Sequence, residues 1–352
     1  MLSHFGTIKT VDPVVSLSWD ETLAAEAAAG DQSPHGRPWH VSFHASAFPG
    51  MDKQACPRKA CYELMDVGRE INTERWLNQT AEVGKAIELA QVRRLRDAGR
   101  LARSNIPGLS TDPDARDEQG NPMPQIGFID KEHWLTGSVD IAMTVFNNDN
   151  KPHIVEVKTK HESQIVDMMN GLRGPDEKHE KQARCSLGMA NANPGAFLHP
   201  TEDRVLDVPT DGTIYYIARD SKWQPGNTEV LNHEFLIEHN DEFMEHGLDH
   251  LKGFKQAFLD DELVQTVERK SARSHPLGWM WSKGACERCS LKKICKADYE
   301  NNTTVLSESS AYEIAKSIRT SYDPVKTREV VLNFWDMIPD EALIPDNKVK
   351  GE

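Results

Sequence analysis

Two neighbouring stretches are the most informative about the fold of this chain: Gly137-Ser-Val-Asp140-Ile-Ala-Met143 and Ile154-Val-Glu156-Val-Lys158-Thr-Lys160. Side chains alternate between the two faces of a strand, so Glu156 and Lys158 point the same way and the valines beside them point the opposite way. The residues at 147–152, Asn-Asn-Asp-Asn-Lys-Pro, are turn formers, which predicts that the two stretches pair as a hairpin. Such a hairpin brings Asp140 next to Glu156 and Lys158.

The chemistry of these three side chains is that of phosphodiester hydrolysis. Two carboxylates that converge at the end of a small sheet form an oxygen-rich pocket, which suits Mg²⁺ or Mn²⁺. A lysine beside them can orient or help to deprotonate the attacking water and can offset phosphate charge. The alternative is an ordinary solvent-facing strand with alternating charges, where Glu-x-Lys is common. The upstream Gly-Ser-Val-Asp element and the β-branched flanking residues favour the catalytic interpretation.

Apolar periodicity and turn signals divide the rest of the chain into further elements. The predicted helices are 21–29, 53–67, 73–98, 177–192, 241–259, 311–319 and 325–338, and the apolar positions of the long one are Trp76, Val83, Ile87 and Ala90. The predicted strands are 125–129, 134–146, 153–159, 213–218 and 230–237. This order predicts an α/β fold with a central mixed sheet between helices. It also suggests an irregular N-terminal arm (1–40), a core (41–300) and a C-terminal helical extension (301–352).

Composition and charge argue against several classes of protein, including membrane-spanning proteins, secreted proteins and proteins that coat DNA. The chain has 352 residues, 38% of them apolar, and a net charge of −14. No apolar run reaches the length of a membrane span and the N-terminus lacks a signal pattern, so we expect an intracellular, cytoplasmic protein. The acidic balance argues against a protein that coats DNA but not against an enzyme with local basic stretches. Two such stretches are phosphate contacts or solvated helix faces: Arg93, Arg94, Arg96, Arg100 and Arg103, and then Arg269, Lys270 and Arg273.

The cysteines indicate ligands and not a disulfide scaffold. Six cysteines are few for a secreted protein of this length, and three of them lie within ten residues: Cys286, Cys289 and Cys295. Three thiolates need a fourth ligand from elsewhere in the chain to complete a tetrahedral Zn²⁺ site or a four-iron cluster. Cys185, in a predicted helix, is interpreted as a buried thiol.

The Gly-Ser-Val-Asp element followed by Glu156-Val-Lys158 resembles the PD-(D/E)XK nuclease superfamily, in its RecB-like branch. The resemblance covers roughly residues 40–300 and implies a restriction-endonuclease-like central sheet. It further implies that Asp140 and Glu156 hold the metal, with help from the backbone carbonyl of Val157.

Two further elements of that branch are present in altered form. Where the branch has Gly-x-x-x-His on an upstream helix, this chain has Gly84-Lys-Ala-Ile-Glu88. Glu88 is then either a carboxylate ligand in place of the imidazole or a surface helix residue. Where the branch has Gln-x-x-x-Tyr, Gln182 is followed by Ser186, and Gln182 is expected to hydrogen-bond the substrate or the active-site backbone.

The segment Ala-Cys56-Pro-Arg-Lys-Ala-Cys61-Tyr resembles an N-terminal segment of the iron–sulfur nucleases of the same branch, such as CRISPR-associated exonucleases and the AddB nuclease domain. In them one N-terminal cysteine and a C-terminal triad hold a [4Fe-4S] cluster. The resemblance implies a cluster held by Cys56 with Cys286, Cys289 and Cys295, which would clasp the two ends of the core. Cys61 stays open as a competing fourth ligand, and Zn²⁺ is the alternative occupant.

The resemblance implies a metal-dependent DNA exonuclease, acting on single strands or duplex ends in recombination, repair or phage DNA metabolism. A helicase, recombinase or other DNA-processing protein would be its partner. One alternative is a structure-selective endonuclease on the same fold. Another is a catalytically idle module that binds DNA within an assembly, which the altered Gly-x-x-x-Glu and Gln-x-x-x-Ser elements keep open.

Overall fold

The computed structural model describes residues 42–45, 48, 57–64, 75–120, 123, 126–145, 148–219, 231–262, 291–310 and 324–337. The strands in these ranges are β1 (Phe43–His44), β2 (Arg103–Ser104), β3 (Gly127–Asp130), β4 (Leu135–Ser138), β5 (Ile141–Val145), β6 (Asn148–Lys160), β7 (Phe197–Leu198), β8 (Asp211–Ala218) and β9 (Asn232–Glu238). The helices are α1 (Pro57–Leu64), α2 (Arg75–Asp97), α3 (Glu162–Met169), α4 (Glu177–Asn191), α5 (Asp241–Leu259), α6 (Lys292–Glu300) and α7 (Pro324–Met337). The predicted mixed α/β class is confirmed.

The principal sheet has four strands in the order β5-β6-β8-β9. Strand β6 pairs antiparallel with β5 and parallel with β8, and β9 pairs antiparallel with β8. A three-stranded sheet, β1-β4-β3, and a two-stranded pair, β2-β7, accompany it. The parallel β6–β8 pair places β6 inside the sheet, so both faces of the strand with the Glu-x-Lys pattern are covered.

The predicted hairpin is confirmed, but its first strand is not continuous. Residues predicted as one strand, 134–146, form β4 and β5, which belong to different sheets. Val139 and Asp140 lie at the crossing, so the break turns β5 away from β3 and onto β6. Strand β6 also begins earlier than predicted, at Asn148, which pairs with Val145 after a register shift.

The two faces of the principal sheet bury different clusters. Toward α2, the buried residues are Val92, Leu101, Ile141, Val155, Val157 and Ile217, with Ile87 and Leu95 packed against them. The other face belongs to the larger core, which includes Ile154, Ile214 and Tyr216. The alternation of side chains along β6 therefore sends its valines toward α2 and its Glu-x-Lys pair toward the opposite side.

Helices α2, α4 and α5 match their predicted limits to within two residues, whereas α3 and α6 were not predicted. The predicted apolar face of α2 is wrong at Val83 and Ala90, which are both exposed, because the helix packs through Val92 nearer its C-terminal end. The predicted helices 21–29 and 311–319, and the N-terminal arm, lie outside the described residues. Among the helices described, none has the length and apolar character to cross a membrane.

Candidate active site

The site begins where the β5–β6 ladder ends. Ile141, the first residue of β5, lies opposite Val155, so β6 continues past its partner toward Lys160. The Val157 N–H there donates to Oδ2 of Asp140 at 2.9 Å. The Asp140 carboxylate thus accepts a hydrogen bond from β6 at a point where β5 no longer pairs with that strand. This contact fixes Asp140 beside the Glu-x-Lys pattern, as the sequence predicted.

Glu156 and Lys158 form a buried ion pair. Nζ of Lys158 lies 2.5 Å from Oε1 of Glu156, and the Glu156 residue is only 1% exposed. Among the described residues, neither carboxylate oxygen of Glu156 receives a hydrogen bond of ordinary geometry. A buried carboxylate with so little stabilisation costs free energy unless another cation or a proton compensates it.

Glu88, on α2, lies close enough to these groups to interact with them electrostatically. The helix passes close to β6 at Gly84, where a Cβ would lie 3.4 Å from Oγ1 of Thr159. One turn later, partly buried Glu88 interacts electrostatically with Asp140 and Lys158. The structure therefore favours the site over the surface helix for this residue.

The proton affinities of the three acids reflect this crowding. Burial, and then repulsion by Asp140, raises the pKa of Glu156 to about 8 against the opposing effect of Lys158. The same two causes raise the pKa of Glu88 to about 7. Burial also raises the pKa of Asp140, while the Lys158 ammonium and the Val157 N–H oppose it. Burial alone would lower the pKa of Lys158, but the attraction of Glu156 and Asp140 outweighs it and the pKa is raised.

The donor set fits a hard divalent cation in composition. Three carboxylates face one ammonium, so the group has a charge excess that Mg²⁺ or Mn²⁺ would offset. In the described part of the chain, however, no three His, Cys, Asp or Glu side chains are arranged to hold a metal ion as they stand. Glu156 is engaged by Lys158 and Asp140 by the Val157 N–H, so these side chains would have to reorient.

The altered Gln-x-x-x-Ser element lies on α4. Gln182 is partly buried there. Ser186, at the position where the related pattern has tyrosine, donates from Oγ to the backbone carbonyl of Ser138 at 3.1 Å. Ser138 is the last residue of β4 and lies two residues before Asp140. The hydrogen bond from Ser186 therefore fixes the segment between β4 and β5 that positions Asp140 in the site.

Sequence reasoning missed a second polar group beside Lys158, formed by the end of β6, the connection after α3 and the start of α4. Its members are Lys160, Arg173, Asp176, His179 and Tyr216. Of these residues, only Lys160 belongs to the charged alternation of β6 that begins at Glu156. The others lie in a loop, at a helix start and on a separate strand, and no local pattern connects them.

Of the predicted cluster ligands, Cys295 on α6 is described, whereas Cys56, Cys286 and Cys289 lie outside the described residues. Nη1 of Arg58 on α1 lies 3.8 Å from Sγ of Cys295. Nearby, Tyr62 donates to Oδ2 of buried Asp298 at 2.5 Å. The helix that follows Cys56 thus packs against the helix that contains Cys295.

The other cysteines differ from Cys295 in their surroundings. Cys61 is fully buried and its thiol lies 3.9 Å from the backbone carbonyl of Phe254 on α5. Cys185 is also fully buried, and burial raises the pKa of its thiol. The interpretation of Cys185 as a buried thiol is confirmed.

The first basic stretch is largely engaged within the protein. Arg93 and Arg96 at the end of α2 form ion pairs with Asp114 at 2.7 and 2.8 Å. Arg103 donates to the backbone carbonyl of His199 at 2.9 Å. These three contacts favour a structural role over phosphate binding. The second stretch, at 269–273, lies outside the described residues.

No family model matches the chain, and no curated protein matches it. Among solved structures, it is similar to the alkaline exonuclease LHK-Exo from Laribacter hongkongensis, at 11% identity and a TM-score of 0.34, over 63% of this chain and 90% of that one. For LHK-Exo in complex with dAMP, the identity is 11% and the TM-score 0.33, over 63% and 92%. For SSO0001, the identity is 14% and the TM-score 0.37, over 80% and 96%. At TM-scores this low, the similarity carries no argument about this chain.

Proposed function

We propose that this chain is a Mg²⁺- or Mn²⁺-dependent deoxyribonuclease that degrades single-stranded DNA or duplex ends as an exonuclease. The observation that supports it is that Asp140, Glu156 and Lys158 meet at the end of the β5–β6 ladder, with Glu88 close enough to interact electrostatically with all three. A carboxylate cluster with one adjacent lysine has little structural purpose in a core, because its burial is costly. It has a purpose where a cation and a phosphate must be bound together.

Each residue of the site would have a separate role in phosphodiester hydrolysis. Asp140, Glu156 and Glu88, with the Val157 carbonyl, would hold the metal, which would lower the pKa of a bound water and neutralise phosphate charge. Lys158, which pairs with Glu156, would orient the attacking water and offset the charge of a phosphate oxygen. Gln182 would hydrogen-bond substrate from α4, and Ser186 keeps Asp140 in place. Attack on phosphorus would leave a 5′-phosphate and a 3′-hydroxyl.

The experiment is digestion of end-labelled single-stranded, duplex and circular single-stranded DNA by anaerobically purified protein. We expect Mn²⁺-dependent release of nucleotides from the linear substrates and none from the circle. Asp140→Asn and Lys158→Met should each abolish release. Asp114→Asn, which removes a carboxylate from an exposed ion pair, is the matched control and should retain it. Cutting of the circle would indicate an endonuclease, and an inactive parent protein that binds DNA would indicate the idle module.

We further propose that Cys56, Cys286, Cys289 and Cys295 hold a [4Fe-4S] cluster with a structural role. The Arg58–Cys295 and Tyr62–Asp298 contacts support it, since they bring the helix after Cys56 to the helix of Cys295. Cys61 is the weaker candidate because its thiol faces α5.

Iron, sulfide and zinc content of the anaerobically purified protein test this assignment. We expect about equal amounts of iron and sulfide, a brown colour, and their loss in Cys295→Ser and Cys56→Ser. Cys185→Ser is the matched control, because that thiol is buried elsewhere, and should keep the iron. Zinc in place of iron would contradict the cluster, and retention of iron by Cys56→Ser with loss in Cys61→Ser would move the fourth ligand.

A further inference from the structure

The polar group beyond Lys158 is organised around one carboxylate. Nζ of Lys160, the last residue of β6, donates to Oδ2 of Asp176. Nη2 of Arg173, in the connection after α3, donates to Oδ1 of the same residue at 2.7 Å. Two cations are therefore held side by side, one on each carboxylate oxygen.

A second set of contacts ties this group to the candidate active site. The Asp176 N–H donates to Oη of Tyr216 at 3.0 Å, and Nδ1 of His179 lies 3.0 Å from the same oxygen. Tyr216 is the register partner of Lys158 in the parallel β6–β8 pair. The two cations thus lie beyond Lys158 at the C-terminal end of β6, at a distance set by the backbone and by a buried tyrosine.

The group keeps unused capacity for an anion. A lysine ammonium has three N–H donors and an arginine guanidinium has five, so one contact each to Asp176 leaves most of them available. The side chain of Lys160 is 16% exposed and that of Arg173 is 39% exposed, so solvent reaches both. Two cations against one carboxylate leave one net positive charge.

We propose that Lys160 and Arg173, held by Asp176, form a second phosphate subsite that binds a backbone phosphate next to the scissile one. The inference rests on the proposed nuclease function and explains how the DNA strand would be positioned in that site. A polynucleotide repeats its charge along the backbone, so a strand with one phosphate at the carboxylate cluster presents the next to the adjacent cations. Arginine and lysine together suit such a phosphate, the first by paired N–H donors and the second as a point charge.

The rival explanation is a latch, in which the same ion pairs only fasten the α3–α4 connection to β6. The two explanations predict opposite effects of Asp176→Asn on the affinity for DNA. Under the latch, Asp176→Asn and Lys160→Gln both break it and have the same effect on DNA binding. Under the phosphate subsite, Lys160→Gln removes an attractive charge, whereas Asp176→Asn removes a repulsive one.

The test is the affinity of the full-length protein for a fluorescent single-stranded oligonucleotide, measured by anisotropy with EDTA present so that no turnover occurs. We expect Lys160→Gln and Arg173→Gln each to bind about tenfold more weakly. The slope of log affinity against log salt should fall by about 0.7 in the double variant, as for the loss of one single-strand phosphate contact. Asp176→Asn should bind at least as tightly as the parent. Lys181→Gln is the matched control, since Lys181 lies on α4 in an ion pair with Glu177 at 2.7 Å.

The position of the contact is tested by replacing single linkages of the oligonucleotide with uncharged methylphosphonate. The parent and Lys181→Gln should lose affinity at the linkage next to the cleaved one, and the double variant should be insensitive there. Double-variant affinity equal to that of Lys181→Gln, in a protein that still digests DNA, would overturn the subsite and leave the nuclease. Weaker binding by Asp176→Asn, matching Lys160→Gln, would also overturn it. A parent protein that neither binds nor digests DNA would reject both.

Discussion

At the scale of single residues, the candidate site is defined by acids that resist ionisation. Glu156 and Glu88 have pKa values raised to about 8 and about 7, from an ordinary value of 4.5, mainly by burial. Their protonated forms are favoured in the folded chain, so folding is accompanied by proton uptake at pH values between 4.5 and the raised pKa of each acid. A bound divalent cation would reverse this preference by stabilising the carboxylates.

This predicts an unusual dependence of stability on pH in metal-free protein. Because the folded pKa values are raised, the stabilisation is fully present below about pH 4.5 and is lost as pH rises through about 7 and 8. In EDTA, the Tm should fall between about pH 4.5 and about pH 8 and level off above that, and Mn²⁺ should remove most of the fall. Scanning calorimetry with and without the ion measures it.

Two variants isolate the contribution of the site. Glu156→Gln should flatten the pH dependence in EDTA and reduce the response to Mn²⁺, because the amide does not titrate. Glu180→Gln, which removes a carboxylate from an ion pair with Arg184 at 3.0 Å, should leave both unchanged. Parallel pH profiles for the parent and Glu156→Gln would contradict the proposed role of these acids.

At the scale of elements, the separation of β6 from β8 positions Lys158 against Tyr216. The two strands are close at Gly212, where a Cβ would lie 2.5 Å from the backbone carbonyl oxygen of Ile154. Neither backbone can move without disturbing the ladder that continues to Lys160 and Ala218. Gly212 is therefore needed for close approach of backbone and not for a turn.

Gly212→Ala should destabilise the protein by about 1–3 kcal/mol, as insertion of a methyl group into a packed interior does. Gly253→Ala is the matched control, because nothing lies within 4 Å of its added Cβ, in the exposed face of α5. That change should stabilise the protein by about 0.5–1 kcal/mol through helix propensity. Urea unfolding measures both, and equal effects of the two substitutions would show that β6 and β8 adapt.

At the scale of the whole molecule, the C-terminal part of the chain is packed into the main core. Trp335 on α7 is 2% exposed and its ring stacks on that of Trp134, with centroids 6.0 Å apart. Val331, one turn earlier, is fully buried in the same core. A segment beyond the region of resemblance therefore contributes to the stability of the core.

Trp335→Ala should cost about 3–5 kcal/mol of unfolding free energy, since it removes a large buried ring from a packed site. Met337→Ala is the control on the same helix, because Met337 is 74% exposed, and its effect should be small. Chemical denaturation followed by tryptophan fluorescence and by circular dichroism measures the difference. An unchanged midpoint for Trp335→Ala would mean that α7 does not contribute to the cooperative unit.

The features that could be predicted from the amino-acid sequence are local. The limits of α2, α4 and α5, the β5–β6 hairpin, and the common face of Glu156 and Lys158 all follow from periodicity and turn formers within a few residues of one another. These patterns set backbone angles and side-chain faces directly, so they can be predicted without knowing the rest of the chain.

Contacts between elements that are distant in the sequence became visible only in the folded chain. Glu88 interacts electrostatically with Asp140 because α2 packs against the end of β6 at Gly84. Lys160 meets Asp176 because the α3–α4 connection returns to the sheet. Arg58 contacts Cys295 although 237 positions separate them. Such contacts depend on how buried faces from many elements fit together, and no short segment contains that information.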